Sequence, residues 1–258
     1  MWNIGPSMEK PQGSVKSAAV LVIGDEILSG RTQDTNSNTI ARFLMGFGID
    51  LKEVRVVPDD EAEIVAGLNA LRTRYDMVFT SGGIGPTHDD ITADAVAKAF
   101  GVGIGYHPQA YALLEARYAP GDFNEMRKRM ARIPDGAALI QNSVSVAPGF
   151  HIGNVYVMAG VPMVMRAMLE AIAPQMPRGQ TVIAITVSAQ MPEGAIAADL
   201  AAIQKTNPTV SIGSYPFYND TGPGTQLVTR GRDGDAVERA ALAIEDAVRA
   251  HGVTPQRI

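Results

Sequence analysis

The chain has 258 residues, 46% of them hydrophobic, enough to bury a substantial core in one large domain or two modest ones. Its 22 Lys and Arg stand against 27 Asp and Glu, and the net charge of -5 argues against a nucleic-acid protein that depends on a basic face. With no cysteine, disulfides, thiolate nucleophiles and Cys-ligated zinc are excluded, and no apolar run reaches the ~20 residues that span a bilayer.

Residues 1–17 are rich in Gly, Pro, Ser and Lys and lack the apolar segment of a signal peptide. They read as a flexible leader, with Met8 as an alternative start. Ala18 to Ile23 is apolar throughout, the signature of a buried parallel strand. It runs into Gly24-Asp25-Glu26-Ile27-Leu28-Ser29-Gly30, which places two acids past a strand's C-terminal end, where open α/β sheets bind ligands. Asp34 to Asn38 is a cluster of helix-capping residues, and the spacing of Ile40, Phe43, Leu44 and Phe47 predicts a helix to about Gly48. The alternation in Ile49 to Val57 predicts a strand with one wetter face. Val57-Pro58-Asp59-Asp60 then ends that strand and caps a helix with Ile64, Leu68 and Leu71 on one face.

Met77 to Thr80 is a short buried strand that meets Ser81-Gly82-Gly83-Ile84-Gly85-Pro86-Thr87-His88-Asp89-Asp90-Ile91-Thr92. Glycines let the backbone approach an anion closely, and a helix start offers it free N–H groups. Two adjacent aspartates beside a phosphate suggest Mg²⁺. The plainer reading is a tight strand–helix connection with Asp90 as the helix cap. The following helix closes at Gly101. The pattern so far is β–α repeated three times, that of a doubly wound parallel sheet, and its topology brings Asp25, Glu26, Asp59, Asp89 and Asp90 toward one rim.

Pro108 to Ile133 reads as one or two helices carrying Arg117, Arg127, Lys128, Arg129 and Arg132. A solvated charged face is the plainer reading; the other is that one or two of these cations reach a phosphate. Asn142 to Phe150 is irregular. Val155 to Met158 is a strand leading through Ala159-Gly160-Val161-Pro162 into a Met-rich helix, Met163 to Met176, whose methionines read as core filler. This turn is a candidate second wall for the same site. A boundary at 177/178 separates residues 18–177 from a small β-α-β-β-α region, 178–258. In that region Tyr215-Pro216 reads as a strand end with a turn, and Tyr215 as a core, interface or base-stacking residue. His88 could touch a phosphate, whereas His107, His151 and His251 read as surface or loop residues.

Taken in order, the Gly24–Gly30 run, Asp34-Thr35-Asn36, Val57–Asp60, Gly82–Thr87 with Asp89–Thr92, Ala147-Pro148-Gly149-Phe150, Gly160-Val161-Pro162 and Ser211–Pro216 carry a family pattern. It resembles the competence/damage-inducible protein A (CinA-like) family, within the molybdopterin-binding, molybdenum-cofactor-biosynthesis (MoaB/Mog-type) group. The resemblance implies a three-layer α/β/α sandwich around a mainly parallel sheet, followed by a small α+β domain. Wider-group members bind molybdopterin and can adenylylate it with Mg-ATP; CinA-like members are associated with metal-dependent cleavage of ADP-ribose, and related domains with cleavage of FAD. The chain departs from the pattern at Ser81 and Ile84, and more in the second wall: Ala159 replaces a proline, Val164 an acid, and Ser145-Val146 a Gly-Thr pair.

The implied activity is a pyrophosphatase acting on ADP-ribose or a related dinucleotide with Mg²⁺, Mn²⁺ or Co²⁺. Asp59, Asp90 and Glu26 are the candidate catalytic residues, and Asp89 and Asp90 the candidate metal ligands. Ser81, Gly82, Gly83, Gly85, Thr87, Asp25, Asn36, Gly160 and Pro162 are the candidate ligand contacts. The alternatives are molybdopterin binding or adenylylation, and a nucleotide-binding module without catalysis. The expected partners are a small nucleotide or pterin, with no nucleic acid and no membrane. The resemblance adds a homo-oligomer, and a cytoplasmic location is expected.

Overall fold

A computed structural model describes residues 16–119 and 121–258; most of the stretch read as a leader therefore lies outside the described residues. The chain divides into two compact units between Gly179 and Gln180.

The first unit opens with β1 (Ser17–Ile23), α1 (Asp25–Leu28), α2 (Asn36–Gly46), β2 (Asp50–Val57), α3 (Glu61–Arg74), β3 (Met77–Ser81) and α4 (Thr92–Phe100). It continues through β4 (Ile104–Tyr106), α5 (Pro108–Arg117), α6 (Glu125–Lys128), β5 (Arg132–Pro134), β6 (Ala138–Ile140), β7 (Gly149–Ile152), β8 (Val155–Met158) and α7 (Pro162–Ile172). One six-stranded sheet runs in the order β2-β1-β3-β8-β7-β6. Its first four strands are parallel, and β7 and β6 add antiparallel pairs at the far end.

The layers follow from the strand period of two. Ala19, Leu21 and Ile23 of β1 face one core with Leu68 and Leu71 of α3, Val96 of α4 and Leu114 of α5. Ala18, Val20 and Val22 face the other, with Ile40 and Leu44 of α2 and Met165, Met168 and Leu169 of α7. β1 is buried on both sides, which is why it reads as a continuous apolar run. Leu21 and Leu44 are fully enclosed, each contributing about 1.5–3 kcal/mol relative to exposure. The Met-rich helix packs largely as core, although Met163 remains exposed.

Local signals set the element ends. The Asp60 carboxylate accepts from the backbone N–H of Ala62 and Glu63 and starts α3. Gly101 ends α4 in the left-handed region. Two expectations about the elements of this unit are corrected. Arg132 and Ile133 are not helical: they pair with β4 in a two-stranded ribbon. His151 is not a loop residue: it lies in β7, and its ring stacks on Tyr156 at 4.2 Å.

The second unit contains β9 (Ile183–Ala189), α8 (Glu193–Thr206), β10 (Ser211–Asn219), β11 (Gly222–Gly231), α9 (Gly234–Ala250) and β12 (Gln256–Arg257). Its antiparallel sheet has the order β10-β11-β9-β12. Val187, Ala189 and Leu227 pack against Ile196 of α8 and Ile244 and Val248 of α9. Tyr215-Pro216 is not a strand end: β10 runs through both to Asn219, with Tyr215 opposite Gln226.

Candidate functional site

Register puts the loops on one rim. Ile23 pairs with Val57, Val22 with Ser81, and Ser81 with Met158. The segments after β1, β2, β3 and β8 therefore emerge side by side, at the carboxyl end of the parallel strands.

The turn after β3 is built for glycine. At Gly82, φ is +114°, and an added Cβ would lie 2.1 Å from the carbonyl oxygen of Ile23; at Gly83, φ is +68°, and it would lie 2.1 Å from the Thr92 hydroxyl oxygen. Thr92 ties the turn down: its hydroxyl donates to Gly82 O at 3.0 Å and its N–H to Gly83 O at 3.0 Å. The first N–H of α4 is thus spent inside the chain. The N–H groups of Gly83, Ile84 and Gly85 have no acceptor among the described residues.

Asp90 is not a helix cap. Ile91 occupies that position without a side-chain cap. The Asp90 carboxylate instead accepts from the Thr87 N–H at 2.8 Å and the Thr87 hydroxyl at 2.5 Å. It also lies against Gly85, where an added Cβ would come within 2.6 Å of Asp90 Oδ2.

The acids of the other loops gather around Asp59. Its Oδ2 accepts the Asp25 N–H at 2.9 Å. Burial pushes the Asp59 carboxyl above the ordinary carboxylate value against the pull of that N–H, and the charges of Glu26, Asp25 and Asp89 push it further. The Glu26 carboxylate folds back over Gly24, with Oε2 2.6 Å from where a Cβ would stand. His88 is almost fully exposed beside Asp89. Among the described residues, no three His, Asp or Glu side chains are grouped as a preformed metal cage would need. Hard oxygen donors that repel one another do fit a divalent cation arriving with phosphate oxygens, because Mg²⁺ is usually held by one or two carboxylates plus substrate phosphates.

Asn36 joins the two walls. Its Nδ2 donates to Ser81 Oγ at 2.8 Å and to Gly160 O at 2.7 Å. That carbonyl fixes which way the amide points, and leaves Asn36 Oδ1 buried without a partner. Gly160 approaches the turn closely: an added Cβ would stand 3.3 Å from Gly82 Cα. Pro162 is exposed at the first turn of α7, whereas Val164, at the position where the family pattern has an acid, is buried in the core. The loop 142–147 is closed by Asn142, which bonds Val144, Ser145 and Ala147. That loop lines a separate, more apolar cleft with Leu139 and Ala167.

Sequence reasoning did not single out Arg129 and Arg132 as site residues. Both line a small hollow with Gly83, Ile84, Gly85, Asp90, Ala93 and Asp94. Arg132 is bound through both terminal nitrogens to the Asp94 carboxylate, at 2.9 and 2.6 Å. A run of cations on a presumed helix carried no signal that separated these two from Arg117 or Arg127.

Residues 19–178 match the family model described as "Probable molybdopterin binding domain", and residues 181–257 match "FAD synthase, middle domain". A protein of Archaeoglobus fulgidus is 32% identical over 228 residues, 88% of this chain and 96% of that protein. A protein of Saccharolobus islandicus is 38% identical over 160 residues, 59% of this chain but only 61% of that relative's length. Among solved structures, the protein CinA of Thermoplasma acidophilum, described as of unknown function, superposes with a TM-score of 0.60 at 36% identity, over 62% of this chain and 98% of that one.

Proposed function

The chain belongs to the molybdopterin-binding domain family, in its CinA-like branch, and from that premise we propose that it cleaves the pyrophosphate of a nucleotide such as ADP-ribose or FAD with the help of a divalent cation. The observation that carries the reading is the gathering of Asp25, Glu26 and Asp89 around Asp59, whose carboxylate accepts the Asp25 N–H, beside a glycine turn whose N–H groups lack acceptors among the described residues. Crowded acids cost stability, and such groups concentrate where chemistry needs them. FAD joins ADP-ribose as a candidate because the second unit matches the FAD synthase middle domain.

In this reading the N–H groups of Gly83, Ile84 and Gly85 bind phosphate oxygens and stabilise the charge that grows on them. Asp59 accepts a proton from the attacking water, a role suited to a carboxylate with a raised pKa. The water oxygen bonds to one phosphorus, the bond from that phosphorus to the bridging oxygen breaks, and ADP-ribose yields AMP and ribose 5-phosphate. Asp25, Glu26 and Asp89 are the residues that would hold a divalent cation together with the ligand's phosphates. When bound, that cation offsets phosphate charge and polarises a phosphoryl oxygen. Asp90 sets the shape of the 85–90 loop through Thr87. Asn36, with Ser81 and Gly160, sets the width of the cleft, and Pro162 borders it. The ligand class is a small nucleotide or pterin, and a homo-oligomer in the cytoplasm is part of the proposal.

The test is AMP release from ADP-ribose, FAD and NAD with Mg²⁺, Mn²⁺ or Co²⁺. Metal-dependent AMP is the expected result, and no AMP with any of these substrates and metals overturns the hydrolytic reading. The match of residues 19–178 favours a second reading, molybdopterin binding or adenylylation. It predicts tight pterin binding and transfer of AMP from ATP.

A further inference from the structure

We infer that Arg129 receives the second phosphate of a diphosphate ligand, in the hollow behind the glycine turn. This rests on the reading that a pyrophosphate-containing ligand enters at this rim. The observation is an imbalance between two neighbouring guanidinium groups. Arg132 is neutralised by a two-pronged bond to Asp94. Arg129 has no carboxylate partner among the described residues. One of its terminal nitrogens donates to the backbone oxygen of Asp90 at 3.3 Å, and its Nε is enclosed with no acceptor among the described residues.

A surface arginine would swing into water. Arg129 is instead held against the hollow with its Nε enclosed and unpaired, which costs free energy, and no carboxylate among the described residues offsets its charge. The same hollow is bordered by Gly83 and Gly85, whose N–H groups lack acceptors among the described residues, and by Asp90, whose carboxylate is engaged by Thr87. A small hollow lined by a glycine turn and a guanidinium suits a single phosphate, which accepts charge-assisted bonds from an arginine's terminal nitrogens. It is too small for a base or a pterin. Asp25, Glu26, Asp59 and Asp89 carry the opposite sign at the neighbouring strand ends. A diphosphate answers both: one phosphate with a cation at the acids, the other on Arg129. The site should therefore tell diphosphates from monophosphates, and Arg129 should be the residue that does so.

Calorimetric titration of the full chain with ADP, AMP and inorganic pyrophosphate, with and without Mg²⁺, tests this in the wild type, Arg129→Gln and Arg129→Lys. ADP should bind the wild type about tenfold or more tightly than AMP, the scale of hydrogen bonds to a charged group. Arg129→Gln should lose that preference while AMP affinity stays within about twofold, and Arg129→Lys, which keeps the charge but loses the fork, should fall between. Arg129→Gln should fold with an unchanged or higher Tm, since it removes an unpaired enclosed donor. ADP affinity in Arg129→Gln within twofold of the wild type overturns the inference, as does equal wild-type affinity for AMP and ADP. If the Arg129-dependent preference appears without hydrolysis of any dinucleotide, the hydrolytic reading falls and this inference stands. If AMP is released and Arg129→Gln keeps the wild-type KM, this inference falls and that reading stands.

Discussion

The side-chain amide of Asn36 donates to the carbonyl oxygen of Gly160 at 2.7 Å, bridging positions 124 residues apart. The same nitrogen donates to Ser81 Oγ, so one buried amide links the start of α2, the end of β3 and the turn after β8. The cleft between the walls is set by a side chain that need not touch a ligand itself.

Asn36→Ala should therefore destabilise the chain by about 1–3 kcal/mol, because the buried Ser81 hydroxyl and the Gly160 carbonyl both lose their donor. Asn36→Asp should be worse, since it sets a carboxylate against a carbonyl oxygen. Urea unfolding of both variants measures this, and equal stability of Asn36→Asp and wild type would contradict it.

Asp59→Asn should abolish AMP release while raising Tm. The folded state holds the Asp59 proton more tightly than the unfolded chain does, because burial and neighbouring carboxylates raise its pKa. Its ionisation therefore costs stability at neutral pH, and the cost disappears as pH falls through the raised value toward the ordinary carboxylate range. The Tm advantage of Asp59→Asn should shrink over that window, as thermal melts at successive pH values would read directly.

Gly82→Ala should cost well over about 2 kcal/mol, combining a left-handed residue with a backbone collision at Ile23 O. Gly30 has φ +73° but open space around it. Gly30→Ala should cost only the conformational penalty, about 1–2 kcal/mol. Comparable losses at the two positions would mean that packing at the turn is not decisive.

Asp90→Asn and Thr87→Val should each weaken ADP binding and lower stability by about 1 kcal/mol. Their double variant should lose less than the sum, since both act through one pair of bonds. Simple additivity in a double-mutant cycle would place Asp90 in some other role, such as direct metal contact.

Removing divalent cations with EDTA should stop AMP release and leave Tm unchanged in the absence of nucleotide. No preformed group of three acidic or histidine ligands exists among the described residues, so the free chain has little to lose. A Tm drop of several degrees on chelation would instead reveal a resident metal.

Much of the first unit was legible in the chain. β1 reads as a strand buried on both faces because it is apolar at every position, and α3 and α4 announce themselves by Asp60 and Gly101. The short strands β4 to β7 were not legible, because three or four residues give no period and they lack the Val- and Tyr-rich run that marks the equally short β8. β10 was misread at Pro216: proline usually stops a strand, yet an outer strand of a sheet tolerates it. Asp90 looked like a cap from its place before a helix, but its carboxylate turns back to Thr87.

The sequence by itself determined the alternation of strands and helices, the glycine turn, and the placing of acids at strand ends. These depend on residues near one another in the chain, through period, capping and allowed φ. Only the tertiary structure decided that Asn36 ties Ser81 to Gly160, that Asp59 is the crowded acid, and that Arg129, unlike Arg132, has no carboxylate partner among the described residues. Those relationships join residues tens to more than a hundred positions apart. They arise from how the sheet brings its loops together, which no local pattern of residues encodes.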